Sequence, residues 1–257
     1  VSHVGAVSST HSPFINSSIE TFKILDNFIE YAENQNFKIG FVGNGEPLLD
    51  LDKLKGYISY LEPYPNISCY TITNGTISLS DEDILFFVNH KVNVGFSLDG
   101  YRELHNKNRC NTFDTVMKNI NHFKRISGNY PTLNATVGKD TISDPKKVIE
   151  FFKQFNVRIT FSRMIGKYGI SLAEYLKFII QAEKELKIRK GDLDCTMYGG
   201  KCGAGLNNFF YANSNVYYCG NCINLSPIAT YDKKIEELKD NNICFDRSKC
   251  YKESICE

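Results

Sequence analysis

The sequence contains no tryptophan, only three methionines and only seven prolines in 257 residues. No apolar run approaches the ~20 residues that a membrane-spanning helix needs. No charged-then-apolar leader opens the chain. No membrane-spanning helix is therefore expected in this sequence, and a cytoplasmic location is the expectation. An excess of either charge is also missing, because 30 Lys and Arg face 29 Asp and Glu for a net charge of +1. Neither nucleic acid nor an anionic membrane surface is an expected partner of so balanced a chain. Internal repeats and low-complexity segments are absent as well.

Cysteine is present, and unevenly placed. Of the nine cysteines, Cys195, Cys202, Cys219, Cys222, Cys244, Cys250 and Cys256 fall in the last quarter of the chain. Disulfides are rare in the cytosol, and an odd number of tail cysteines suits a disulfide framework poorly. Metal or cluster ligation is the better expectation. Cys219-x2-Cys222 is a zinc-type half-site, whereas Cys250-x5-Cys256 is not. Spacing alone leaves four-thiolate zinc and iron–sulfur both open. Cys110 stands apart from the tail, and so does Cys69, which lies in an apolar strand pattern and reads as a small core residue.

From Lys38 to Arg163 two patterns alternate. Strands are predicted at Lys38–Val42, Ile67–Thr73, Val92–Leu98, Thr132–Val137 and Val157–Arg163. Helical spacing marks Ser18–Ala32, Asp52–Leu61, Asp81–His90, Thr112–Ile126, Asp144–Phe155 and Ser171–Leu186. Ser17-Ser18-Ile19-Glu20 reads as a capping box, and Asp144-Pro145 as an N-cap with proline at the first helical position. Strands separated by helices of this length imply βα units and a parallel sheet. Glycine and cysteine rise after Gly191, so a domain boundary is expected near Arg189–Asp194. Beyond it, Phe209–Tyr211 and Val216–Tyr218 flank Ala212–Asn215 as a hairpin, and a short helix is read at Asp232–Leu238.

Function in parallel βα folds collects at the carboxyl ends of the strands. Here the first strand ends in Gly43-Asn44-Gly45-Glu46-Pro47 and the second in Thr73-Asn74-Gly75. The third ends in Ser97-Leu98-Asp99-Gly100, with His105 and Arg109 downstream. The fourth carries Asn134-Ala135-Thr136-Val137 and the fifth ends in Arg163. Each piece alone is ordinary turn chemistry. Together they suit a polar small molecule bearing amine, carboxylate and hydroxyl groups.

This ordered series resembles the radical S-adenosylmethionine (radical SAM) superfamily, in its peptide-modifying and sulfatase-maturing branch. The resemblance covers Lys38 to Arg163. It implies an α/β fold: a partial (β/α)6 TIM-type barrel over residues 1–190 and a small Cys-rich domain containing a β-hairpin over 191–257. It also implies S-adenosylmethionine as cofactor, bound through Gly45, Glu46, Pro47, Asn74, Ser97, Asp99, Asn134 and Arg163. In that site Glu46 would take the methionine amine, while Ser97 and Asp99 would lie near the ribose. Asn44 departs from the family's second glycine. The tail resembles the SPASM or shorter twitch extension, which implies [4Fe–4S] clusters held by the seven tail cysteines, although Ser214 replaces a usual glycine and the later spacings diverge. A peptide or protein substrate and an electron-donor protein are the implied partners, and His105, Arg109, Tyr198 and Tyr211 are candidates for a place near the substrate, each with a packing role as the simpler account.

The family's C-x3-C-x2-C motif, which holds the radical cluster, does not occur in this sequence. The required spacing falls on Ser2, Ala6 and Ser9. No residues remain for a strand before them, so the sequence reads as cut just after, or within, a first strand. Natural loss and deliberate replacement of the three cysteines both stay open. So do three functions. The first is a ribosomal-peptide or sulfatase maturase left without radical initiation in this form. The second is a peptide-binding pseudo-enzyme on the same scaffold, and the third a zinc-stabilised barrel protein.

Overall fold

The computed structural model describes residues 18–33, 35–42, 45–164, 169–188, 209–220 and 226–240. The elements before the tail are α1 (Ser18–Ala32), β1 (Phe37–Phe41), a 3-10 helix (Pro47–Asp50), α2 (Leu51–Leu61), β2 (Ile67–Thr73) and α3 (Asp81–Asn89). They continue as β3 (Asn93–Ser97), α4 (Arg102–Asn108), α5 (Phe113–Ser127), β4 (Thr132–Val137), α6 (Lys139–Ser143), α7 (Pro145–Lys153), β5 (Ile159–Arg163) and α8 (Leu172–Glu183). Strands β1 to β5 form one sheet in sequential order. The class is α/β with a partial TIM-type barrel, as the sequence implies.

Local chemistry sets the element ends. Ser80 Oγ accepts the Asp83 N–H at 3.1 Å while Asp83 Oδ2 accepts the Ser80 N–H at 2.9 Å, a reciprocal cap on α3. Ser171 and Glu174 make the same box on α8. Asp144 accepts the Lys147 N–H at 3.1 Å ahead of Pro145, the N-cap and proline start predicted for α7. Gly128, at φ 79°, closes α5 in the left-handed conformation. Ser17 lies outside the described residues.

By compactness the chain divides into two units, one drawn from His11–Tyr70 and Cys195–Glu257 and the other from Thr71–Asp194. In the second unit β3, β4 and β5 pair in parallel, with Ser97 beside Asn134, and Thr136 beside Ser162. One face of these strands carries Val94, Phe96, Leu98, Leu133, Ala135, Val137, Ile159 and Phe161, all buried. Phe96 meets Phe123 of α5 at 5.9 Å between centroids, and Phe161 meets Phe152 of α7 at 5.5 Å and Phe178 of α8 at 5.1 Å. Each such ring contributes ~1.5–3 kcal/mol by leaving water. Tyr175 Oη donates to the Phe161 carbonyl at 2.6 Å and pins α8 to β5.

In the first unit, β6 (Phe210–Ala212), β7 (Asn215–Tyr217) and β8 (Ala229–Thr230) form a small antiparallel sheet, followed by α9 (Ile235–Asp240). Asn213 and Ser214 turn the hairpin at φ 51° and 59°, the two left-handed residues of a tight two-residue turn. This hairpin is the predicted one, shifted by a residue. The sheet lies on α1. Tyr211 packs edge-on to Phe28 at 5.1 Å, Ser214 Oγ donates to Glu20 at 2.6 Å, and Lys234 pairs with Glu30 at 2.6 Å. Burial pushes the Tyr211 phenol up, and its oxygen has no hydrogen-bond partner among the described residues. No helix among the described residues is long and apolar enough to cross a membrane.

Candidate ligand-binding site

Several buried hydrogen bonds converge at the end of β3. Asp99 is 2% exposed, and its two oxygens accept Arg109 Nε at 2.8 Å and Nη2 at 3.1 Å. The same carboxylate accepts the Thr136 N–H at 2.8 Å. A planar guanidinium and a carboxylate paired this way fix both position and angle. The loop after β3 is thereby tied to the end of α4 and to β4. Gly100 sits inside that loop at φ 141°, against Leu104.

His105 lies beneath this pair and is fully buried. The Asp99 N–H donates to its Nδ1 at 3.3 Å, so Nδ1 is bare and the ring hydrogen sits on Nε2. Nε2 then donates to Thr112 Oγ1 at 3.1 Å, and Thr112 Oγ1 donates to the Arg109 carbonyl at 2.7 Å. Burial pushes the imidazole down to about 4, with the nearby Asp99 opposing the shift and Arg109 adding to it. His105 is a neutral strut at ordinary pH. It and Arg109, singled out in the sequence, are brought together with Asp99.

Asn74 folds its own loop, because its Oδ1 accepts the Thr76 N–H at 2.8 Å and Thr76 Oγ1 at 2.7 Å. Gly75 follows at φ 80°, and its carbonyl accepts Asn119 Nδ2 at 2.9 Å. A Cβ on Gly75 would stand 3.1 Å from both Phe96 and Val116. Gly75→Ala combines a left-handed backbone with that crowding. It is expected to cost ~1–3 kcal/mol, read as a lower urea midpoint with unchanged slope. An unshifted midpoint would show that the loop relaxes freely.

Asn134 and Ser97 share the face of the sheet opposite Phe96 and Phe161. Arg163 is out of step with that row, since it pairs in register with Val137, and its Nη1 donates to the Ile170 carbonyl at 3.2 Å. In the first unit, Glu46 is buried and caps the 3-10 helix. Its Oε1 accepts the Leu48 N–H at 3.1 Å, with Gly45 before it and Pro47 at the first helical position. Cys69 is half-buried, and burial raises its thiol to about 11. Cys110 is exposed, with φ 52°.

Sequence reasoning named Thr136 only as part of the fourth strand's end and did not single out Thr112, Asn119 or Ser162. Asn119 left a signal, as a polar residue on the apolar stripe formed by Val116, Ile120 and Phe123. The Thr136 contribution is a backbone N–H, which no side-chain pattern marks. Ser2, Ala6, Ser9, Gly43, Asn44, Tyr198, Cys195, Cys202, Cys222, Cys244, Cys250 and Cys256 lie outside the described residues. Cys219 is described and half-buried, just after β7. Among the described residues no group of three or more His, Cys, Asp or Glu could hold a metal ion.

No protein-family model matches the chain. A cysteine-type anaerobic sulfatase-maturating enzyme of Clostridium novyi is 31% identical over 147 residues, which is 52% of this chain and 39% of that protein. The match thus spans about two fifths of the relative's length. Among solved structures, native anSMEcpe with bound AdoMet and Cp18Cys peptide superposes with a TM-score of 0.61 at 22% identity, covering 86% of this chain and 72% of that one. Streptococcus suis SuiB bound to precursor peptide SuiA superposes with a TM-score of 0.65 at 15% identity, covering 92% of this chain and 60% of that one. Over about half its length this chain is similar in sequence to the cysteine-type anaerobic sulfatase-maturating enzymes, and its fold is that of the anSMEcpe and SuiB structures.

Proposed function

We propose that this chain binds S-adenosylmethionine at the strand ends, as part of a radical SAM system that modifies a peptide or protein side chain. The observation that carries the reading is Ser97. It is 3% exposed, in register with Asn134, and its hydroxyl has no partner among the described residues. A hydroxyl on a buried residue that the described residues leave unbonded is available to a polar ligand. Ser97 and Asn134 offer hydrogen bonds to the ligand. Asp99, whose oxygens are taken by Arg109 and Thr136, serves by holding the loop. Gly45, Glu46, Pro47, Asn74 and Arg163 join the proposed site on the family resemblance. The likeness to the sulfatase-maturating relative and to two peptide-bound structures supports a peptide or protein as the second ligand.

The tail, 191–257, we assign to auxiliary [4Fe–4S] ligation by Cys195, Cys202, Cys219, Cys222, Cys244, Cys250 and Cys256. Bound beside a reduced cluster, S-adenosylmethionine supplies one-electron hydrogen-abstraction chemistry. The 257 residues contain no C-x3-C-x2-C motif, so the chain by itself captures ligand without starting that chemistry. The missing motif also favours a second reading, a non-catalytic peptide-binding partner on the same scaffold.

Equilibrium dialysis against S-adenosylmethionine tests the site. Wild type is expected to bind, and Ser97→Ala about tenfold more weakly, the loss of one buried hydrogen bond. A wild type that retains no ligand overturns the reading. Anaerobic reconstitution with iron and sulfide tests the tail, with a brown protein absorbing near ~400 nm expected from thiolate-bound clusters. A colourless protein holding stoichiometric zinc would replace the cluster assignment with a zinc site.

A further inference from the structure

Barrel interiors are ordinarily filled by layers of bulky branched side chains. The corresponding face of β3–β5 carries Gly95, Ser97, Thr132, Asn134, Thr136, Thr160 and Ser162 instead. Phe96 and Phe161 point into the helices, so these residues, in register across the strands, share the opposite surface. None is charged or large. Ser97 and Thr136 are 3% and 4% exposed, yet neither hydroxyl has a hydrogen-bond partner among the described residues. The Asn134 carboxamide and the Ser162 hydroxyl are also without one among the described residues. Four neutral donors and acceptors thus stand on one face in two successive rows, Ser97 beside Asn134 and Thr136 beside Ser162, and the Ser97 and Thr136 hydroxyls belong to residues more than nine-tenths buried.

Gly95 is placed oddly for a strand interior. Glycine weakens a strand there unless something must come close. Its backbone gives no reason for the choice, because the glycines at positive φ are Gly75, Gly100 and Gly128. Space does give one. A Cβ on Gly95 would fall 2.5 Å from Asn134 Nδ2, 3.3 Å from Thr132 Oγ1 and 3.5 Å from Ile72 Cγ1. The carboxamide therefore lies across β3 in the room that the missing side chain leaves. Thr132 Oγ1, held to the Val94 carbonyl and Asn93 Nδ2 at 3.3 Å each, needs to give only a few tenths of an ångström, so the severe clash is with the carboxamide alone. Asn134 is free to turn.

We propose that Gly95 is a positioning residue: it sets the pose in which the Asn134 carboxamide, together with Ser97, Thr136 and Ser162, meets an uncharged hydrogen-bonding part of the ligand. The inference rests on reading this surface as part of the S-adenosylmethionine site. It goes beyond that reading by making a glycine without ligand-bonding atoms a determinant of affinity.

Four proteins test it: wild type, Gly95→Ala, Asn134→Ala and the double variant, each measured by equilibrium dialysis with S-adenosylmethionine and by thermal melting. Each single substitution is expected to weaken binding about tenfold. The double variant should bind no more weakly than Asn134→Ala, because the added methyl then meets no carboxamide. Melting temperatures of Gly95→Ala and wild type should agree within a few degrees, the relief being a side-chain rotation. If Gly95→Ala costs the same factor in both backgrounds, or lowers the melting temperature steeply in both, glycine serves the strand alone and the inference is wrong. If wild type binds nothing, the functional reading falls and takes the inference with it.

Discussion

Arg109→Ala is expected to lower folding stability by ~3–5 kcal/mol, the usual result of leaving one member of a buried ion pair alone. Asp99 and Arg109 side chains are 2% and 6% exposed, so solvent does little to screen what remains. With the guanidinium gone, the carboxylate keeps one bond, from the Thr136 N–H, against the full cost of a buried charge. For a chain of this size the loss corresponds to a fall in melting temperature on the order of 10 °C. The double variant Asp99→Leu/Arg109→Leu should recover part of it, since an apolar pair removes the charge penalty. It should not recover all of it, because the Thr136 N–H then has no acceptor, at ~1–3 kcal/mol. Circular-dichroism melts of the three proteins decide the matter. A single variant within ~1 kcal/mol of wild type would mean that water reaches Asp99 and the pair is a surface one.

The pair also shows how far the sequence could be read. The strands at Ile67–Thr73 and Thr132–Val137 match the structure at both ends, because β-branched runs bounded by turn residues carry a local signal. Caps at Asp144 and the polar strand ends were legible for the same reason. α4, at Arg102–Asn108, was not predicted. It has Leu104 and His105 as its buried residues and no apolar stripe, and it exists because His105 and Arg109 are held under the β3 loop. α6 and β8 are too short to show a period. In the site, the sequence named Asp99, His105 and Arg109 but could not join them, since the contacts depend on a loop closing back over β4. Gly95 is harder still. A glycine in a strand pattern is silent about which neighbour uses the space, and Asn134 is 39 positions away in the numbering.

His105 gives the second large effect, and it is one of pH. An unperturbed histidine titrates near ~6.5, whereas burial brings His105 down to about 4 in the folded chain. Below ~6.5 the unfolded chain takes up a proton that the folded chain refuses, so protonation favours unfolding. The contribution of this residue is therefore intact above ~6.5 and is lost as pH falls from there toward 4. The full difference is ~3 kcal/mol, of which about 2 kcal/mol should be gone at pH ~5. Asp99 and Arg109 are the charged groups that face the ring, and a protonated Nδ1 would confront the Asp99 N–H, a donor against a donor. Other carboxylates begin to titrate in the same range, so the informative quantity is a difference. His105→Asn keeps an acceptor for the Asp99 N–H and removes the titration. Its urea midpoint, followed from pH 7.5 to 4.5, should fall less steeply than that of wild type, the two curves converging toward the acid end. Parallel curves would show that His105 is solvated in the folded chain, and with it the strut under the β3 loop would be lost as an explanation of α4.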